Sequence, residues 1–156
     1  MSDAAEKTLY RTAALIFEEL SFILPSPVTR PIGDVPAAGA SVRFTGAFSG
    51  ALVVRITRDL MPILSANMMG DDEPPDERLQ RDAVGEIANV ICGNVLPKIA
   101  ATDEPFHLET PQYFEDALPA GFDPSLTLKA EIHIGLDSGN ADVMLYTAGD
   151  AAPRPA

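Results

Sequence analysis

The sequence predicts an α+β fold, with helices packed on one face of a mainly antiparallel sheet. Three observations carry this. Apolar residues recur at helical spacing near the N-terminus and again over residues 77–100. Two regions, residues 41–57 and 126–146, alternate apolar and polar residues as half-buried strands do. Glycine, proline, asparagine and aspartate collect at the joints. The resulting order is helix, strand pair, two helices, then strands.

Leu9, Ala13, Ile16, Phe17, Leu20 and Leu24 predict a helix over residues 4–24, stopped by Pro25. Residues 25–40 hold Pro25, Pro27, Pro31 and Pro36 with Gly33 and Gly39, the composition of an extended connector. Ser41–Phe48 and Ala51–Thr57 read as paired strands around a turn at Ser49-Gly50. Asp59 is placed to cap a helix running to about Met69, with Pro62 tolerated in its first turn. An acidic loop, Gly70–Glu77, leads into a helix from about Glu77 to Ala100. Pro97 lies inside that helix and predicts a kink or an early end. Phe106–Thr110 is a short strand. Leu126–Gly135 and Asp142–Tyr146 are longer ones, joined by hairpin-turn residues Asp137-Ser-Gly-Asn140. Residues 1–150 make one domain, and 151–156 a frayed, disordered tail.

Composition narrows the function. The chain has 156 residues, 46% of them apolar, enough for a real core. Its net charge of −12 repels phosphate backbones and anionic lipid, so nucleic acid and membrane surfaces are not expected partners. A single cysteine, Cys92, excludes an internal disulfide and fits a reducing compartment. The polar N-terminus has no signal-peptide core, and no apolar run spans a bilayer. A cytoplasmic location is expected.

The most informative stretch is Asp82-Ala-Val-Gly-Glu86-Ile-Ala-Asn89-Val-Ile-Cys-Gly93-Asn94. At about 100° per residue, Asp82, Glu86, Asn89 and Gly93 share one narrow stripe, opposite Val84, Ile87, Ala88, Ile91 and Val95. An acid and a carboxamide side by side on a rigid helix can grip one group and orient a water beside it. From the residues alone, a solvated helix face explains Glu86 and Asn89 as well. Asp82 also fits a first-turn helix charge, Gly93 close packing against a neighbouring element or a partner, and Asn94 a plain polar position. Cys92 reads as a small buried apolar group. His107 and His133 stand at no metal-ligand spacing, and Asp71-Asp72-Glu73 lacks the glycine and terminal glutamate of a calcium loop. Met61, Met68 and Met69 fit core or interface positions.

Asp82-x3-Glu86-x2-Asn89, then Gly93-Asn94 and a proline at Pro111, resembles the signature of the CheC/CheX/FliY phosphatases of bacterial chemotaxis. Phe44-Thr-Gly-Ala-Phe-Ser-Gly-Ala-Leu-Val-Val and the helix ending Ala66-Asn-Met-Met-Gly70 resemble the elements that precede the motif in CheX-type domains. The resemblance covers roughly residues 10–147. It implies a CheX-like (CheC-like) fold and hydrolysis of the aspartyl phosphate on a CheY-like response-regulator receiver domain in two-component signalling. Glu86 would anchor the receiver through its lysine, and Asn89 would orient the attacking water. Asp82, Gly93 and Asn94 would contact the partner. Mg²⁺ would come from the receiver, so the protein needs no cofactor or metal of its own. CheX-type relatives imply a homodimer joined through sheet edges.

CheC-type proteins carry a second motif near the N-terminus. The matching helix here reads Phe17-Glu18-Glu19-Leu20-Ser21-Phe22, with no Asn three residues after either Glu, so one site per chain is expected. Two alternatives stand beside the phosphatase: a non-catalytic CheX-like module that binds a receiver or another signalling protein, and a structural domain related to flagellar switch components.

Overall fold

The computed structural model describes residues 2–26, 31–118, 122–137 and 139–148. Three helices pack on one face of an antiparallel sheet, as expected. In chain order the elements are α1 (Ser2–Ser21), β1 (Pro25–Ser26), β2 (Ala37–Thr45), β3 (Gly50–Thr57), α2 (Leu60–Met69), α3 (Glu77–Ala100), β4 (His107–Leu108), β5 (Gln112–Glu115), β6 (Leu126–Leu136) and β7 (Gly139–Ala148). The strands run β1-β6-β7-β3-β2-β4 across the sheet, and β5 also pairs with β2. All the pairings are antiparallel. The expected tail, residues 151–156, lies outside the described residues.

The core lies between helices and sheet. Alternation along β3 sends Leu52, Val54 and Ile56 toward the helices, where they meet Leu9, Phe17, Leu64, Ile87 and Ile91. Ala51 and Val53 point to the other face yet are fully buried. That face is covered by chain as well: the Phe114 ring packs over Gly39, and Phe122 meets Tyr146 edge-on at 5.1 Å.

Several boundaries differ from the sequence reading. Helix α1 stops at Ser21, three residues before Leu24, because Phe22 turns into the left-handed region at φ 56°. Its N–H still bonds the Glu18 carbonyl at 3.0 Å, and the Asn67 side chain takes the Ser21 carbonyl at 2.8 Å. Pro25 does not end the helix; it opens the edge strand β1, opposite Leu136. The connector is shorter than expected, since β2 begins at Ala37. Small residues are required there: a Cβ on Gly39 would collide with the Val54 carbonyl and the Phe114 ring. The expected turn at Ser49-Gly50 shifts, with Gly50 already paired to Phe44 as the first residue of β3. Asp59 does not cap α2; its backbone is itself helical (φ −62°, ψ −15°), and its side chain makes no capping bond.

Helix α3 matches its expected span. Asp76 caps it by accepting from the Leu79 N–H at 3.0 Å. Pro97 does not cut it short, for the helix runs on to Ala100. The Gly93 carbonyl, which loses its donor to Pro97, belongs to an exposed residue where water can serve it. Of the expected strand Phe106–Thr110 only His107–Leu108 pairs. Phe44, Phe48 and Phe106 stack edge to face, with centroids 5.4–5.9 Å apart, and hold the β4 segment against the sheet. Strand β5 was not expected; Pro111 precedes it, and four residues carry too little alternation to read. The β6–β7 hairpin forms as expected, although Ser138 in its turn lies outside the described residues.

Candidate functional site

Helix α3 divides as its pattern demands. Val84, Ile87, Ala88, Ile91 and Val95 are buried in the core. Asp82, Glu86 and Gly93 on the opposite stripe are exposed, and Asn89 is half-buried. Glu86 and Asn89 sit three residues apart on an uninterrupted helix, so they are neighbours on one surface. Among the described residues neither side chain has a hydrogen bond or ion pair.

Both residues line a groove of about 290 Å³ between α3 and the chain that enters β5. Its other walls are Arg81, Asp82, Gly85, Thr110, Pro111 and Tyr113. Gly85 sets how closely the two walls of the groove approach. A Cβ there would stand 3.3 Å from the Pro111 Cβ, a tight contact, so the glycine lets Pro111 seat against the helix. Gly93 is less constrained: a Cβ would meet only Leu108, at 3.8 Å. The close packing against a neighbouring element anticipated for Gly93 therefore belongs to Gly85. Pro111, distant in sequence, arrives beside Glu86 and Asn89.

The remaining charges are organised locally. Asp82 pairs with Arg78 at 3.6 Å, one turn back. Asn94 donates from its Nδ2 to the Val90 carbonyl at 2.7 Å, leaving its amide oxygen outward. Arg81 binds Glu77 at 2.7 Å and lies over the Tyr113 ring, 5.3 Å from its centroid. The Glu77 contact raises the Arg81 pKa further. The Tyr113 hydroxyl donates to Glu115 at 3.1 Å; burial first, then that carboxylate, pushes its pKa up to about 12. Tyr113 is therefore neutral, and its hydroxyl serves as a hydrogen-bond donor. Arg81, Gly85, Thr110 and Tyr113 were not picked out from sequence. The available signal was the i, i+4 step from Arg81 to Gly85 to Asn89.

The other candidates fall away from the groove. Cys92 is fully buried, and burial pushes its thiol up to about 12, which leaves no thiolate for chemistry. His133 binds Asp142 at 2.8 Å and approaches Glu131 at 3.7 Å, within the sheet. His107 is exposed on β4. Met61 is core, Met68 packs against it, and Met69 is exposed. Among the described residues no group of three or more His, Cys, Asp or Glu could hold a metal ion, and no helix is long and apolar enough to cross a membrane.

Comparison with known proteins bears on the fold and the family. No curated protein matches the sequence. Solved structures match in fold. The chemotaxis protein CheX of Desulfovibrio desulfuricans is 20% identical, with a TM-score of 0.72 over 92% of this chain and 99% of that one. CheX of Vibrio vulnificus is 17% identical, with a TM-score of 0.69 over 92% and 95%. CheX in a CheX–CheY–BeF₃–Mg²⁺ complex from Borrelia burgdorferi is 13% identical, with a TM-score of 0.66 over 92% and 97%. The model of the chemotaxis phosphatase CheX family matches residues 38–120, which include β2 from its second residue, β3, α2, all of α3 and the Pro111 segment. The chain belongs to the CheX family of chemotaxis phosphatases.

Proposed function

We propose that this protein hydrolyses the aspartyl phosphate of a CheY-like receiver domain, with Glu86 and Asn89 inserted into the receiver's phosphorylation site. One observation carries the reading. Glu86 and Asn89 stand one turn apart on the outer face of α3, line one groove with Pro111, and have no partner within the described chain. The related CheX solved with CheY supports the choice of partner.

An acyl phosphate is intrinsically reactive, so the protein's task is positioning. Asn89 suits it because a carboxamide donates and accepts without ionising. Its oxygen accepts from a water proton and aims the water oxygen at phosphorus. The new O–P bond forms as the P–O bond to the receiver's aspartate breaks. The aspartate leaves as carboxylate, and the water's proton passes to inorganic phosphate or solvent. Exposed Glu86 offers a carboxylate to the receiver's lysine. Mg²⁺ belongs to the receiver. Gly93 admits the partner backbone near the helix, while Asp82 and the outward oxygen of Asn94 supply contacts around it.

The test is the decay of phosphorylated receivers from the same organism, with Mg²⁺, in the presence and absence of the protein. Faster decay that is lost in Asn89→Ala, with receiver binding retained, is the expected result. Glu86→Ala should weaken both binding and turnover. Wild-type decay rates in both variants would move the site elsewhere. Binding without any change in decay would make the protein a non-catalytic receiver-binding module.

We further propose a homodimer joined through sheet edges. Among the described residues β6 meets β1 only at Gly135 and Leu136, so much of its outer edge lies open. That edge is partly guarded. Glu6 accepts from the Glu131 N–H at 3.3 Å, and the pairing with β7 is irregular between Leu128 and Ala130. A monomer mass by light scattering would overturn the dimer.

A further inference from the structure

We infer that Arg81 selects the partner: its guanidinium docks a carboxylate on the receiver's surface, outside the phosphorylation site. The inference rests on the receiver-phosphatase reading. It begins from charge. The chain carries −12, and the groove wall beside Arg81 is acidic, with Asp82 and Glu86. Arg81 is the sole cation among the residues that line this groove. Arg78, the nearest other cation on α3, pairs with Asp82 at 3.6 Å and does not line the groove.

The geometry of Arg81 suits docking. Glu77 binds one corner, Nη2, at 2.7 Å, and the Tyr113 ring supports the flat face. The side chain is still 46% exposed, and among the described residues no other hydrogen bond uses its fork. A held guanidinium with free N–H groups loses little entropy when it takes a carboxylate. Its position decides what it can touch. Eight residues separate Arg81 from Asn89, about 12 Å along a helix. With Asn89 at the phosphoryl group, Arg81 lies beyond reach of the reacting atoms and meets the receiver's rim. It is a specificity-determining residue, expected to change encounter and affinity rather than the chemical step.

The test uses the full-length protein and the receiver domains of the same organism, phosphorylated with phosphoramidate in Mg²⁺, at low and physiological salt. Arg81→Met keeps the apolar stem; it should raise KM by about fivefold to tenfold, leave kcat within about twofold, and flatten the salt dependence. Arg81→Lys should restore most of the affinity. Glu77→Gln separates docking from structure. It removes the opposing charge and weakens the hold on Nη2, so it should lower KM, whereas a purely structural ion pair would make it behave like Arg81→Met. Unchanged KM and salt dependence in Arg81→Met, or a rise in KM with Glu77→Gln, overturns the inference. Binding of BeF₃-activated receivers by fluorescence anisotropy runs in parallel. If wild type binds but does not hasten decay, the phosphatase reading fails, and the same variants judge Arg81 through Kd. If wild type binds none of them, both fall.

Discussion

The outer stripe of α3 and the polar cluster in the sheet at Arg55, His133 and Asp142 use similar residues to opposite ends. In the sheet cluster, Arg55 and His133 are both bonded to Asp142. Asp142, only 4% exposed, takes His133 at 2.8 Å on one oxygen and Arg55 at 3.5 Å on the other. Arg55 also donates to the Asp116 carbonyl at 2.6 Å and the Gly33 carbonyl at 3.4 Å, tying two loops to the sheet. On α3, Glu86 and Asn89 are held just as firmly by their helix but are left open. Buried polar groups must be satisfied internally, because unmade bonds there cost stability. Open bonding capacity on a rigid element is tolerated only at the surface, and it is what a partner can use.

The strongest way to break this contrast is to cut each region once. Asn89→Ala should lower receiver dephosphorylation by about 100-fold, roughly 2.7 kcal/mol of barrier, with the unfolding midpoint unchanged. Asp142→Ala should do the reverse. It strands Arg55 and His133, and should cost about 2–4 kcal/mol in urea unfolding while the rate per folded molecule stays near wild type. If either variant loses both stability and activity in proportion, the division between a closed structural cluster and an open functional one is wrong.

How far the sequence disclosed this contrast depends on the range of the forces involved. Helix α3 was legible because one apolar period runs through its twenty-four residues; its cap, Asp76, was hidden in an acidic loop. The same period placed Glu86 and Asn89 outward, so the motif survived intact. Asp59 looked like a cap and is not one, because it lies inside a turn that the Met61 N–H closes on the Arg58 carbonyl at 3.0 Å. The first residues of β2, Ala37 to Ala40, carry weak strand propensity. They are strand because Val54, Arg55 and Ile56 across the ladder and Phe114 above them require small residues. The far wall of the groove was illegible for the same reason. Tyr113 reaches α3 through β5, whose pairing with β2 is a long-range contact that no local pattern encodes.

The two helix glycines give a finer test of open against closed. Gly93→Ala adds a methyl group in ordinary contact with Leu108 and removes a helix glycine, so stability should rise by about 1 kcal/mol. Receiver binding should weaken if the bare backbone there admits the partner. Gly85→Ala gains the same propensity but pushes on Pro111 from 3.3 Å, so the net stability change should be smaller and the groove should widen. Thermal melts and receiver titrations of both variants separate these cases. A stabilised Gly93→Ala that binds normally would return Gly93 to plain helix structure.

The smallest effect is expected on the core side of α3, at Cys92. Its thiol is pushed up to about 12 by burial alone, against about 8.5 in an unfolded chain. Above the unfolded value the unfolded chain has released this proton and the folded chain has not. The folded state then binds more protons, so stability falls as pH rises, beginning near 8.5 and continuing toward the folded value. Around pH 9 this thiol's share is about 0.8 kcal/mol. Cys92→Ala removes it, so the variant's stability should decline less steeply than wild type between pH 8 and 10, whatever offset the lost sulfur introduces. Native protein at pH 8 should also resist iodoacetamide until it is unfolded. Rapid labelling without unfolding would mean that the core face of α3 opens, and that the helix is not the rigid platform that Glu86 and Asn89 require.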